Sequence, residues 1–327
     1  MSLTRKTFRT APMRYSALTA GAVVLALGAT ACGTGDSDTS TSEKSPSPAS
    51  TAGKTSEPGE AAQAKFTSYA SSTSFDDTVS ALKKSVADNG MMVLGDLNQA
   101  GALKSTGLSL KGAHTFFVGN PAKGKMFFQK NPAIGAEIPV RMYVWADDEG
   151  TTHIGYFDPA PMFKAIDPEL ADGGKQMAMA VEKITKGAAG GTSTKGTTVA
   201  AAFTTVDSAK SFDATVSALK KSVADNGMMV LGDLNQAGAL KSTGLSLKGA
   251  HAYFVGNPAK GKMFFQKNPA IGAVIPLTMY TWADNDGTAH IGYFDPAALF
   301  KAVDENMADG GKQMKMAADK IANGAAK

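Results

Sequence analysis

The sequence contains one domain twice, and no other feature narrows its fold as much. "FDDTVSALKKSVADNGMMVLGDLNQAGALKSTGLSLKGAH", from Phe75 to His114, returns as "FDATVSALKKSVADNGMMVLGDLNQAGALKSTGLSLKGAH", from Phe212 to His251, with Asp77 replaced by Ala214. The offset of 137 never slips: Lys125 answers to Lys262, Trp145 to Trp282 and His153 to His290. Each copy is a little over a hundred residues, the size of a domain that folds alone rather than a unit of a solenoid. The boundaries read as 66–187 and 203–327, joined by a Gly/Thr/Ser-rich linker over 188–202.

Periodicity gives the coarse fold of one copy. "KFTSYAS" is a short strand, and Ser74 caps a helix whose apolar face is Phe75, Val79, Leu82 and Val86, ended by Gly90. "MMVLGDL" is a second strand, "QAGALKST" a helical turn and "AHTFFVGN" a third strand. A helix through "PAKGKMFFQKNP" leads to the hairpin "PVRMYVWA", "DDEG", "THIGYFD", and a last helix runs from about Leu170 to Ile184. Helices and strands interleave irregularly around a hairpin, so the expected class is α+β, with a mixed β-sheet packed against helices in each copy.

The N-terminus carries Arg5, Lys6, Arg9 and Arg14 with no acid, then an apolar run from Ala17 to Leu27 and small residues Ala29, Thr30 and Ala31. That is the pattern of a signal peptide over 1–31, too short in its apolar part to span a membrane. Cys32, the single cysteine, follows the small residues and resembles the lipobox of bacterial lipoproteins, although Ala29 stands where leucine is commonest. The resemblance implies lipidation of the Cys32 thiol and a membrane partner held through that anchor, on the extracytoplasmic face. From there to about residue 65 the chain is Ser-, Thr- and Pro-rich with few apolar side chains, and reads as a disordered tether over 32–65.

Removing the four basic leader residues from 33 Lys+Arg leaves 29, against 29 Asp+Glu. The exported part is near neutral, which argues against a nucleic-acid partner. A lone cysteine allows no intrachain disulfide, so each domain rests on its apolar core.

"FFVGNPAKGKMFF" has the Gly119, Gly124, Lys125 spacing of a phosphate-binding loop. Met126 and Met263 stand where that loop needs Ser or Thr for Mg²⁺, and Pro121 and Pro258 remove N–H groups that would face phosphate, so no nucleotide is expected. Asn120 is a good N-cap and Pro121 a good first helical residue. A weaker anion site at Asn120, Lys123 and Lys125, with Asn257, Lys260 and Lys262 in the second copy, stays as a candidate.

The segments "FFVGNPAKGKMFFQKNPAIGAEIPVRMYVW" and "DDEGTTHIGYFDP", with "GNP" after an apolar strand and "IP" before the next, resemble the family called domain of unknown function 302. The resemblance covers nearly all of both copies. It implies a small, often paired α+β domain with no established activity, cofactor or catalytic residue.

His114, His153, His251 and His290 are the four histidines and form a possible metal set, with a copper-like character if methionines such as Met177 and Met179 or Met314 and Met316 join them. Methionines two apart on a helix diverge, so each such pair is not expected to chelate together. Catalysis would need a His to meet Asp96, Asp147 or Asp158, of which Asp147 suits a hairpin turn and Asp158 a turn before Pro159. Trp145 and Tyr156 could line a pocket but suit a core better. The copies differ at Glu137/Val274, Arg141/Thr278, Val144/Thr281 and Phe116/Tyr253, on the hairpin and the strand beside it. The expected function is that of a membrane-anchored lipoprotein presenting an intramolecular pseudo-dimer, non-catalytic and without cofactor, in a binding or envelope-structural role. A metal or small-anion binder and an uncharacterised hydrolase-like enzyme are the alternatives, and the sequence names no protein partner.

Overall fold

The structure is a computed structural model that describes residues 62–327. The expected signal peptide, the Cys32 anchor and the tether up to residue 61 lie outside the described residues. Residues 62–65, expected in the tether, already belong to the first strand.

The first copy runs β1 (Ala62–Ser71), α1 (Phe75–Asp88), β2 (Met92–Asn98), α2 (Gln99–Lys104), β3 (Ala113–Gly119) and α3 (Pro121–Lys130). A 3-10 turn (Pro132–Ala136), β4 (Val140–Ala146), β5 (Thr152–Phe157), α4 (Pro159–Ile166) and α5 (Ala171–Ala189) complete it. The second copy follows β6 (Gly190–Ala201) with β7 (Phe203–Ser208), α6 (Phe212–Asp225), β8 (Met229–Asn235), α7 (Gln236–Lys241), β9 (Ala250–Gly256) and α8 (Pro258–Lys267). Its own 3-10 turn (Pro269–Ala273), β10 (Leu277–Ala283), β11 (Ala289–Phe294), α9 (Pro296–Val303) and α10 (Ala308–Ala326) close the chain. The sheet orders are β2-β3-β4-β5-β1-β6 and β7-β11-β10-β9-β8.

The α+β class holds in both copies. The expected mixed sheet is antiparallel in every strand pairing. The physical reason is that α1 carries the chain from β1 near one edge to β2 at the other, so the two strands joined by the long crossover are never neighbours.

Local signals act as read. The Ser74 hydroxyl accepts from the Asp77 amide, and Asn120 Oδ1 from Lys123 N at 3.2 Å, ahead of Pro121 in the first turn of α3. Two elements were not read. Helix α4 is capped by Asp158, whose Oδ1 accepts from Ala160 N at 3.0 Å. The segment 188–202, read as a linker, ends α5 and forms β6, which pairs antiparallel with β1. Its threonines suit a strand, and β1 presents an open edge for it. Helix α5 starts at Ala171, close to the expected Leu170, and runs past the expected Ile184 to Ala189; its Gly174 lies against α4, where a Cβ would stand 2.8 Å from Phe163 Cβ.

Each sheet has two covered faces, as the alternation on β4 implied. The outer face packs Phe116, Val118, Met142, Val144 and Ile154 against Leu82 and Val86 of α1 and Val181 and Ile184 of α5. The inner face carries Phe117, Arg141, Tyr143 and Trp145, and meets the other copy. Tyr143 Oη donates to Pro269 O at 2.9 Å and Tyr280 Oη to Pro132 O at 3.0 Å, so each tyrosine holds the other copy's 3-10 turn. A Cβ on Gly272 would overlap the Tyr143 ring, and one on Gly135 the Tyr280 ring. Gln99 Nε2 donates to Gly272 O at 3.1 Å and Gln236 Nε2 to Gly135 O at 2.8 Å, and the equivalent Phe117 and Phe254 stack with centroids 4.3 Å apart.

Tyr143→Phe keeps the ring and loses one buried hydrogen bond, so chemical denaturation should show a loss of about 1 kcal/mol. Gly272→Ala should cost more, about 2 kcal/mol, by forcing the tyrosine from its seat; equal stability of the Ala variant and the parent would contradict this packing.

Candidate functional site

The histidines do not assemble. In the strand register His114 is opposite Val144, which is opposite Ile154, whereas His153 is opposite Trp145, which is opposite Ala113. Strand neighbours in register share a face, so His114 is on the outer face and His153 on the inner one. The same holds for His251 and His290. Among the described residues no three His, Cys, Asp or Glu side chains group as a metal site. The proposed His114/His153 and His251/His290 pairs are therefore separated by the thickness of a sheet. Met179 and Met316 point to solvent while Met177 and Met314 pack on the cores, as helical spacing requires.

Each histidine instead has a carboxylate of its own. His114 Nε2 pairs with Asp96 Oδ2 at 2.7 Å and stacks on Phe116; His251 pairs with Asp233. His153 Nε2 lies 2.7 Å from Asp147 Oδ2 and stacks on Trp145. His290 sits between Asp207, 2.9 Å from Nδ1, and Asp284, 3.0 Å from Nε2. Burial raises the Asp147 carboxyl, but hydrogen bonds from His153 and the Thr151 amide outweigh it and hold it below the usual carboxylate range. Asp147 also closes the hairpin, and Asp158 caps α4, so of the expected acid/base candidates Asp96 and Asp147 each meet a His while Asp158 holds a helix start. Trp145 and Tyr156 stand on opposite faces, in different cores, and line no common pocket.

The expected anion site is also largely committed. Asn120 Nδ2 donates to Gly90 O at 2.8 Å while its oxygen caps α3. Lys125 Nζ crosses to Thr243 O of the other copy and Lys262 Nζ to Thr106 O, both at 3.1 Å. Lys123 and Lys260 are exposed.

What the same stretch does form is the wall of a cleft. A cleft of about 450 Å³ opens beside α3, lined by Met91, Leu94, Met126, Phe128, Pro139 and Met177 among others. Its far side is α7 of the second copy, through Gln236, Ala239 and Leu240. The equivalent cleft of about 480 Å³ lies beside α8 and is closed by Gln99, Ala102 and Leu103 of the first copy. Each cleft is thus incomplete without the other domain. Sequence reasoning missed both, because α2 and α7 reach them only through the domain interface; the signal present in the sequence was the apolar, methionine-bearing face of "PAKGKMFF".

Domain of unknown function DUF302 matches residues 67–187 and again 204–324. The chain belongs to the DUF302 family. A solved structure of an uncharacterised conserved DUF302 protein from Bacillus stearothermophilus is similar, with 21% identity over 38% of this chain and 97% of that one, and a TM-score of 0.36. No curated protein matches the chain.

The two DUF302 copies are not interchangeable where they meet. Arg141 faces its own equivalent, Thr278, with Nη2 3.3 Å from Thr278 Oγ1, so two arginines there would oppose like charges at one point. Arg141 also donates to Ala273 O, Val274 O and Pro276 O and lies over Phe117 and Phe254. Burial lowers its pKa to about 10, against the opposing effect of Glu137, and it stays charged at neutral pH. Glu137 is half-buried and, with Arg141, Phe117 and Phe254, lines a small cavity of about 80 Å³ between the copies. Burial raises its carboxyl well above the usual range, more than the Arg141 charge lowers it.

A raised folded-state carboxyl favours folding below the unfolded value near pH 4.3, and that contribution is lost as pH rises through the folded value. Glu137→Gln should therefore leave stability near pH 4 little changed and raise it at pH 7. Urea melts across that window test this, and destabilisation at pH 7 would mean that the Arg141 attraction outweighs desolvation.

Proposed function

We propose that this protein is an extracytoplasmic, lipid-anchored binding module, in which two DUF302 domains act as one intramolecular pseudo-dimer and carry two equivalent small-molecule clefts. The observation that carries the binding reading is that each cleft is walled by both copies, which gives the duplication a purpose: one copy alone supplies half of each wall. Their volumes fall within the range of small-ligand pockets, and their linings are mainly apolar with a few polar groups. The His–Asp pairs lie outside both cleft linings, which favours binding in the clefts over the hydrolase-like alternative. The leader and Cys32 support anchoring at the outer face of the cytoplasmic membrane.

Two measurements test this. Nile red, a neutral apolar dye, should bind the full chain at two sites, and Met126→Glu should remove one of them, since Met126 and Met263 are 54% and 53% exposed and tolerate replacement. Retention of both dye sites in Met126→Glu/Met263→Glu would place binding elsewhere. In cells, Cys32→Ser should move the protein from the membrane fraction to the soluble exported fraction, and unchanged membrane association would contradict the anchor.

A further inference from the structure

The chemistry of the clefts narrows their ligand. Neither lining contains an Asp or a Glu among the described residues, although acidic side chains are as numerous as basic ones beyond the leader. The first lining includes Lys123 and Lys125, and the second Lys260. Lys125 is held by Thr243 O, whereas the exposed Lys123 has its Nζ over the Gly90 turn, and Asn89 and Asn120 line the same cleft. The body of each cleft is hydrocarbon and thioether, with Met91, Met126 and Met177 in one and Met228, Met263 and Met314 in the other. Methionine side chains adapt to flexible apolar partners better than branched ones do. An apolar trough with a cationic rim and no carboxylate favours a ligand with a matching division of charge.

We infer that each cleft takes a single-chain amphipathic anion, a flexible hydrocarbon with one carboxylate or comparable anionic head, its chain against the methionines and its head at Lys123 or Lys260. The inference rests on the binding reading above. A cleft of about 450 Å³ lies towards the small end of ligand pockets and suits one chain rather than a two-chain lipid. The head is placed by the lysine at the rim and not by the start of α3, whose cap Asn120 already fills.

The test is displacement of Nile red from the full chain by decanoate, 1-decanol and decyltrimethylammonium, each below its micellar range. Decanoate should displace dye from both sites and bind about tenfold more tightly than either comparator, the increment expected of one charge-assisted contact. Lys123→Gln/Lys260→Gln should bring decanoate to within about threefold of decanol and leave decanol unchanged. Equal competition by decanol or by the cation overturns the anionic assignment and leaves the clefts as binding sites. An undiminished preference for decanoate in the lysine variant overturns the placement of the head. Absence of dye binding to the parent protein overturns both this inference and the reading on which it rests.

Discussion

The inner faces of the two sheets are too apolar and aromatic to face water, and the rest of the structure depends on how they cover one another. Tyr143 and Tyr280 reach across to the 3-10 turn of the opposite copy, and each phenol hydrogen-bonds a backbone carbonyl there. Burial pushes both phenols well above their ordinary ionisation range, so both remain donors. Only a glycine at 272 and at 135 leaves room for the rings. The domains are therefore joined by side chains reading backbone, which demands one relative placement.

That placement decides what the rest of the surface can do. It brings α7 to the first cleft and α2 to the second, and carries Lys125 and Lys262 over to carbonyls of the opposite copy. It also explains the divergence of the copies. Arg141 meets Thr278 near a pseudo-twofold axis, where a residue faces its own equivalent and identical charges would coincide, and Glu137 and Val274 line the small cavity beside it. A duplicated chain can break symmetry there; two copies of an identical subunit cannot. Val144/Thr281 and Phe116/Tyr253 lie on the outer face, away from the axis, and nothing in the contacts between copies explains them.

Much of one domain was legible. Ser74, Asn120 and Pro121 are local signals, because a cap bonds an amide three residues away and needs no tertiary context. The strands of "AHTFFVGN" and the "PVRMYVWA" hairpin were equally plain, since alternation on both faces announced two covered surfaces. Helix α4 was overlooked because Asp158 before Pro159 reads equally as a turn or as a cap with proline in the first turn. Strand β6 was hidden because its glycines and threonines have the composition of a linker, and only the open edge of β1 makes it a strand. The histidines looked like pairs because spacing in the chain is blind to which side of a sheet each occupies; one residue of register separates His114 from its partner's face.

The sequence by itself determined the duplication, the α+β class, the capped helices and the absence of a complete phosphate loop, since each follows from residue type within a few positions. The tertiary structure alone decided that the "GNPAKGKMFF" helix serves as a cleft wall, that each His meets an Asp, and that a cleft needs both copies. The His–Asp pairs form within one copy once the strands are in register, whereas the clefts depend on contacts between residues more than a hundred positions apart, such as Tyr143 with Pro269 and Gln236 with Gly135. Local propensity carries no information about such pairs, because it is the burial of two complementary faces that brings them together.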